Sequence, residues 1–186
     1  MNKIKFLIFF YLFVLTLTSS FGQSSVFDAE LEVQVYPTGF IPGLRLEKGF
    51  ADRNAIHLRV GYNIVRHGDA GVHQKEEGGG FGFSLGYRRY LKADYEKWFL
   101  GVRTDFWFNS IDWADDINTQ TASSGNSKIT VFQPTAEFGY VLLLKSGEWF
   151  ITPSIAAGVE VNIKTKGAET GQGLILLLGL SLGKRF

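Results

Sequence analysis

The residues of this chain that could do chemistry fall into three groups, and their spacing limits what each group can do. In the first, charged side chains recur at every second position of alternating segments. The acids are Glu30, Glu32, Glu47, Asp105, Glu137 and Glu160; the cations are Arg45, Arg59, Arg88, Arg103 and Arg185; His57 shares their parity. Charges facing a common interior must pair or carry a large desolvation cost. The near balance of this set reads as a salt-bridge network that fills an interior, or else as the lining of a narrow polar path. The second group is "RHGDAGVHQKEE", with His67, Asp69, His73, Glu76 and Glu77. Imidazole and carboxylate suit a transition metal, but the spacing matches no compact site. The third is "DWADD", with Asp112, Asp115 and Asp116. It is rich in oxygen ligands for calcium, yet lacks EF-hand spacing and reads equally as a solvated acidic loop. A catalytic constellation would need His67, Asp69 and Ser123 or Ser124 to meet, and no motif places them together. The glycines of "EEGGGFGFSLGY" precede no strand-to-helix change and so form no phosphate loop. No metal site is assigned and no cofactor is implied.

The elements carrying these residues are strands. Alternation with period two dominates, and no sustained helical period occurs. It is clearest from Trp149 to Lys164. Trp149, Ile151, Pro153, Ile155, Ala157, Val159, Val161 and Ile163 take one face, and Phe150, Thr152, Ser154, Ala156, Gly158, Glu160, Asn162 and Lys164 the other. The same reading predicts strands over Ala29–Tyr36, Gly43–Phe50, Ala55–Arg66, Gly80–Leu91, Lys97–Asn109, Ile129–Leu144 and Leu174–Phe186. Eight strands, most near the 9–11 residues that cross a tilted bilayer span, predict an all-β, eight-stranded antiparallel up-and-down transmembrane β-barrel. Pro134 and Pro153 lie inside candidate strands. A closed barrel has no free edge for a residue without a ladder donor, so bulges or ladder breaks are expected there.

Residues 1–22 read as a cleaved signal peptide, with Lys3 and Lys5 before an apolar run and small residues Ser20 and Gly22 at its end. Residues 23–186 form one barrel domain. Setting Lys3 and Lys5 aside leaves 17 basic against 18 acidic residues, a balance that gives no footprint for nucleic acid. The chain has no cysteine, which excludes disulfides and thiol catalysis. Connections alternate in length: "FADRNA", "LKADYEK" and "KSGE" are short, whereas three on the opposite side are long and polar; the first outer connection, near "PTGFIP", is the exception in being short. A soluble ligand-binding barrel also alternates, with its apolar face inward. Three features favour the membrane. Only Lys48 of the nine lysines beyond the leader lies well inside a strand. The polar faces combine small residues with paired Arg and Glu, which suits a narrow filled lumen. Aromatics of the apolar face, Trp98, Trp149, Tyr62, Phe108, Phe132 and Phe186, gather near strand ends as interfacial girdles do.

With its leader, its eight dyad strands and its closing strand "LILLLGLSLGKRF", the chain resembles the small bacterial outer-membrane β-barrels (OmpX-like and OmpA-membrane-domain-like proteins). The resemblance is one of pattern over the whole mature chain. It implies the outer membrane of a diderm bacterium, reached through a Sec-type leader, with outer-membrane lipid and lipopolysaccharide as surroundings. It also implies barrel-assembly machinery as a biogenesis partner, with Leu180, Leu182 and Phe186 as the assembly signal. The function expected is structural or surface-interactive, with an unknown surface ligand. A narrow pore or transporter for ions or small hydrophobic solutes is the second class. A lipid A-modifying enzyme at the rim is the third.

Overall fold

The computed structural model describes residues 26–69, 71–145 and 147–186; the expected leader, 1–22, lies outside them. Eight antiparallel strands close into one barrel in sequence order: β1 (Phe27–Tyr36), β2 (Gly39–Phe50), β3 (Asn54–Gly68), β4 (Lys75–Tyr90), β5 (Lys97–Asp115), β6 (Ser123–Leu143), β7 (Trp149–Lys166) and β8 (Gly173–Arg185). β8 closes the ring against β1, with Glu30 opposite Gly183 and Gln34 opposite Gly179. The first residue of β1, the last of β8 and the β2–β3, β4–β5 and β6–β7 turns lie at one mouth, the terminal end. The longer connections and the tight two-residue β1–β2 turn lie at the other, the loop end.

Alternation assigns the faces as the barrel requires. Leu31, Leu44, Leu58, Leu85, Leu100, Phe138, Ile155 and Leu180 face out and are exposed, while the opposite parity is buried. On β5 the outward aromatics Trp98 and Phe108 are ten residues apart. At a rise of about 3.3 Å per residue and a tilt near 40°, that spacing gives about 25 Å, the height of the apolar band of a membrane barrel. Near its upper edge Tyr62, Phe81 and Phe108 share one row across β3, β4 and β5, and Phe83, Phe106 and Phe132 the next. Adjacent rings pack at centroid distances of 4.8 Å (Tyr62–Phe81), 5.3 Å (Phe83–Phe106) and 5.4 Å (Phe106–Phe132). At the lower edge Trp98 stacks on Phe138 at 4.9 Å.

Strand lengths depart from expectation at the loop end. β4 begins at Lys75 rather than Gly80, β5 runs to Asp115 rather than Asn109, and β6 begins at Ser123 rather than Ile129. The ladders continue, but the polarity of the two faces inverts. Above Phe108, Ile111, Trp113 and Ile129 point in, while Ser110, Asp112, Asn126 and Lys128 point out into water. A segment leaving the bilayer meets solvent on its outer face, so the pattern of the spanning part stops without the strand stopping.

The prolines break ladders. Between β6 and β7 the paired rows stop at Phe132–Val161 and resume at Thr135–Gly158, leaving out Pro134; they stop again at Gly139–Ser154 and resume at Leu142–Ile151, leaving out Pro153. A register shift lies nearby, between Thr130 and Val131. Pro42 does the same between β2 and β3, where pairing jumps from Phe40–Ile64 to Gly43–Gly61. The expected β2 began one residue too late to include it.

The narrow lumen is filled by rings laid over glycines. Trp107 of β5 lies opposite Gly82 of β4, Phe99 opposite Gly139 of β6, and Phe150 of β7 opposite Gly183 of β8. In each pair a Cβ on the glycine would collide with the ring. The absent side chain is the space the ring occupies.

Candidate functional site

The lumen has three layers. At mid-height sit the charged groups, all buried: Glu30, Glu32, Arg45, Glu47, His57, Arg59, Arg88, Arg103, Asp105 and Glu137. Arg45 pairs with Glu32 at 2.7 Å and Glu137 at 3.6 Å, and reaches Glu30 at 3.9 Å. Arg59 meets Glu32 at 2.5 Å and donates to the Ile41 carbonyl at 3.0 Å. Arg88 bridges Glu47 at 2.9 Å, Glu137 at 3.0 Å and Glu30 at 3.4 Å, with its guanidinium 4.2 Å from the centre of the Phe99 ring. Arg103 pairs with Asp105 at 3.1 Å and donates to Gln34 at 3.0 Å. His57 stands 3.9 Å from Glu47.

Apolar layers close this charge from both sides. Toward the loop end lie Ile41, Trp107, Ile111, Ile129, Val131, Ala156 and Leu177. Toward the terminal end lie Ala55, Tyr90, Tyr95, Phe99, Val141 and Phe150. Apolar side chains lie above and below, so the buried ion pairs sit where the effective dielectric is low and their mutual attraction is strong. The arrangement pins strands β1 to β6 together through the lumen.

Sequence reading missed three uncharged members of this layer. Tyr90 donates to Glu47 at 2.5 Å, Ser84 donates to Asp105, and Gln34 donates to Glu32 at 3.0 Å. All share the inward parity, but none announces itself by charge. Two residues expected in the network stand apart from it. Arg185 makes a two-pronged pair with Asp28 at 2.9 and 3.0 Å at the terminal mouth. Glu160 sits at the loop end, beyond the apolar layer, among the residues of the upper cavity. Leu180, Leu182 and Phe186 lie exposed on the outer face, and Phe186 pairs with Phe27 through the backbone. Trp149 faces out near the terminal mouth, with the Lys184 ammonium 6.0 Å from its ring centre.

The candidate ligands of the outer connections are dispersed. His67 engages Glu76 at 3.0 Å; Glu77 pairs with Arg66 at 3.1 Å and Lys75 at 3.0 Å; His73 binds Asp115. Asp112 accepts from Asn126 at 2.8 Å. Among the described residues no hydrogen bond joins His67, Asp69 and Ser123 or Ser124, and no group of three or more His, Asp or Glu is arranged to hold a metal.

What the outer connections build instead is a latch. His73 lies buried between three of them. Its Nδ1 meets Asp115 Oδ2 at 2.7 Å, its Nε2 meets the Glu169 carbonyl at 2.9 Å, and its ring stacks on Trp113 at 4.3 Å. Gln74 extends the clasp: its N–H donates to Asp115 at 2.7 Å, and its side-chain carbonyl accepts from the Ile117 N–H at 3.1 Å. Burial opposes charge on His73, but the Asp115 carboxylate and the Glu169 carbonyl outweigh it and raise its pKa. A raised folded value means stability fully present below the ordinary imidazole range and lost as pH rises through the folded pKa. We therefore expect the hydrogen-exchange protection factors of the Gln74 and Ile117 amides to be highest in mild acid and to fall as pH climbs above about 6.5, the ordinary imidazole value. In His73→Gln they should be flat with pH. Flat protection in the parent chain would show that His73 does not charge the latch.

A cylinder apolar all round its middle, with aromatics at both edges and its charges sealed inside, is soluble only in a bilayer. The chain is a transmembrane β-barrel. No helix among the described residues is long and apolar enough to cross a membrane, so the strands do the crossing. No family model and no curated protein matches the sequence. Among solved structures, the barrel is similar to the N-terminal β-barrel domain of Pseudomonas aeruginosa OprF (17% identity over 87% of this chain and 98% of that one, TM-score 0.45). It is also similar to a major outer membrane protein from Thermus thermophilus (15%, 88% and 100%, TM-score 0.49) and to Neisserial surface protein A (8%, 87% and 96%, TM-score 0.48).

Proposed function

We propose that the protein is a sealed barrel of the outer membrane of a diderm bacterium, and that it acts through its outer surface rather than through its lumen. The observation that carries this reading is the charge layer closed between two apolar layers. An eight-stranded lumen is just wide enough to be filled by side chains, and here it holds large rings and interlocked ion pairs instead of a continuous wet path. The material left for interaction is the loop end, where tall hairpins rise past the bilayer and His73, Asp115 and Glu169 clasp three connections into one ordered platform. A structural or adhesive role fits such a platform. Leu180, Leu182 and Phe186 would present the outward row read by assembly machinery during insertion.

The experiment pairs two measurements on the full chain. Folded protein in planar bilayers should give no steady single-channel steps. Cells displaying the intact chain should adhere to surfaces coated with serum proteins more than cells in which residues 116–122 and 168–172 are replaced by short Gly-Ser turns, with unchanged permeability to small solutes. Steady conductance from the parent chain, or equal adhesion of the two strains, would overturn the reading.

A further inference from the structure

The rim of the barrel is uneven. β3 to β6 rise far past the bilayer, whereas β1 ends at Tyr36, β2 starts at Gly39 and β8 starts at Gly173. A cavity of about 730 Å³ lies beneath this low stretch, inside the loop end and above the apolar layer that seals the charges. Its size falls within the range of about 300–1,000 Å³ usual for small-molecule sites. It is lined both by inward residues and by Ala157, Val159, Leu174 and Leu176 of the outward parity, so it opens sideways at the β7–β8 rim, toward the bilayer edge.

The chemistry of this cavity is one-sided. It contains two carboxylates, Glu76 and Glu160, and neither lysine nor arginine; its imidazole, His67, is engaged by Glu76 at 3.0 Å. Among the described residues Glu160 has no ion-pair or hydrogen-bond partner, and the charged group whose field reaches it is the like-charged Glu76. Glu76 is 4% exposed; one of its oxygens is held by His67, and the other, Oε1, has no partner. Asn109, also buried, leaves its Oδ1 unpaired. Buried polar atoms in native proteins are almost always satisfied, and unpaired carboxylates in a half-closed space favour a cation. Val65, Ile111, Ile129 and Ile175 form an aliphatic stretch of the wall, beside the polar groups of Tyr36, Asn63, Thr170 and Gln172.

We propose that this cavity is a binding site for an amphipathic organic cation: an ammonium group held by Glu76 and Glu160, carried on an apolar body that packs against Ile111, Ile129 and Ile175. Entry is lateral, over the low rim of β8, β1 and β2. An amine delivered from the bilayer and one delivered from water share this chemistry. They differ in how much apolar body they bring.

The test uses the full chain in phosphatidylcholine nanodiscs, with isoleucine methyl resonances as the readout and empty discs as the partition control. n-Octylammonium should shift the Ile111, Ile129 and Ile175 methyls saturably, and should bind at least tenfold tighter than n-octyl sulfate. Ethylammonium, which carries the same charge but almost no apolar body, should bind at least tenfold more weakly, and comparable binding would overturn the apolar part of the site. Glu160→Gln and Glu76→Gln should each weaken n-octylammonium at least fivefold while the heat-modifiable gel mobility of the folded barrel persists. Glu160→Gln stands at the rim, outside the sealed network, and is the variant that decides if Glu76→Gln fails to fold. No saturable shift, equal binding of the octyl sulfate, or a loss smaller than fivefold in folded Glu160→Gln would overturn the site.

Discussion

Arg88→Met should be the most damaging loss of a single charge in this protein. It removes the guanidinium that joins Glu47, Glu137 and Glu30, together with the cation lying over Phe99. Breaking a buried pair from one side leaves uncompensated charge in a low-dielectric site, and such losses run to about 3–5 kcal/mol. The three carboxylates are not equally stranded. Glu137 and Glu30 keep Arg45, at 3.6 and 3.9 Å. Among the described residues Glu47 keeps only the Tyr90 hydroxyl and a His57 nitrogen 3.9 Å away. The double variant Arg88→Met/Glu47→Gln should therefore recover a substantial part of the loss. Arg66→Met, which cuts an exposed pair with Glu77, should change stability by less than about 1 kcal/mol. Urea titration of the barrel in lipid vesicles, read by gel mobility, measures all three. If Arg88→Met lies within about 1 kcal/mol of the parent, the range of an exposed pair, the charge layer does not hold the barrel together.

Gly82→Val should leave no folded barrel at all. A Cβ at Gly82 would run into the Trp107 ring and also into the Phe106 carbonyl of the neighbouring strand. The ring is fully buried and lies in the apolar layer with Ile111, Ile129 and Val131, so it has nowhere to turn. Overpacking a core costs about 1–3 kcal/mol when side chains alone must shift; here the obstacle includes a backbone oxygen held in the β4–β5 ladder. Gly171→Ala is the matched control, because nothing lies within 4 Å of its added Cβ, and it should behave as the parent does. The measurement is the yield of heat-modifiable protein after refolding. A normal yield of folded Gly82→Val would mean that the lumen is looser than its packing indicates.

Much of this architecture was legible in the sequence because a barrel wall in a bilayer imposes one simple rule. From Leu178 to Leu182 the outward side chains face the bilayer and the inward ones a crowded lumen, so parity alone separates the faces. The rule ends where the bilayer ends. Around Ser110 and Lys128 the outward residues turn polar, and a reader following apolar parity stops although the ladder goes on. The charged inventory of the lumen could be named from parity, but not its geography. Nothing in the spacing of Glu160 shows that Trp107, Ile129 and Leu177 stand between it and the arginines. The His73 latch was invisible for a different reason. Its partners Asp115 and Glu169 are 42 and 96 residues away, and only the closed ring brings those three connections together. Tyr90, Ser84 and Gln34 were missed because a hydroxyl or an amide on the inward face carries no signal until its acceptor is located.

The proline lapses have a mechanical consequence. Missing ladder rows fall at two junctions, β2–β3 and β6–β7, and in a ring of eight these lie opposite each other. The wall is thus two arcs of four strands meeting along two compliant fold lines. One arc, β3 to β6, is continuous in sequence, built from local hairpins and crowned by the tall extensions. The other, β7–β8–β1–β2, holds the first and last strands and is completed by the pairing of β8 with β1. Squeezed out of round, such a cylinder flexes at its two hinges and keeps each arc stiff. The low rim over the cavity belongs to the arc that carries the seam between β8 and β1.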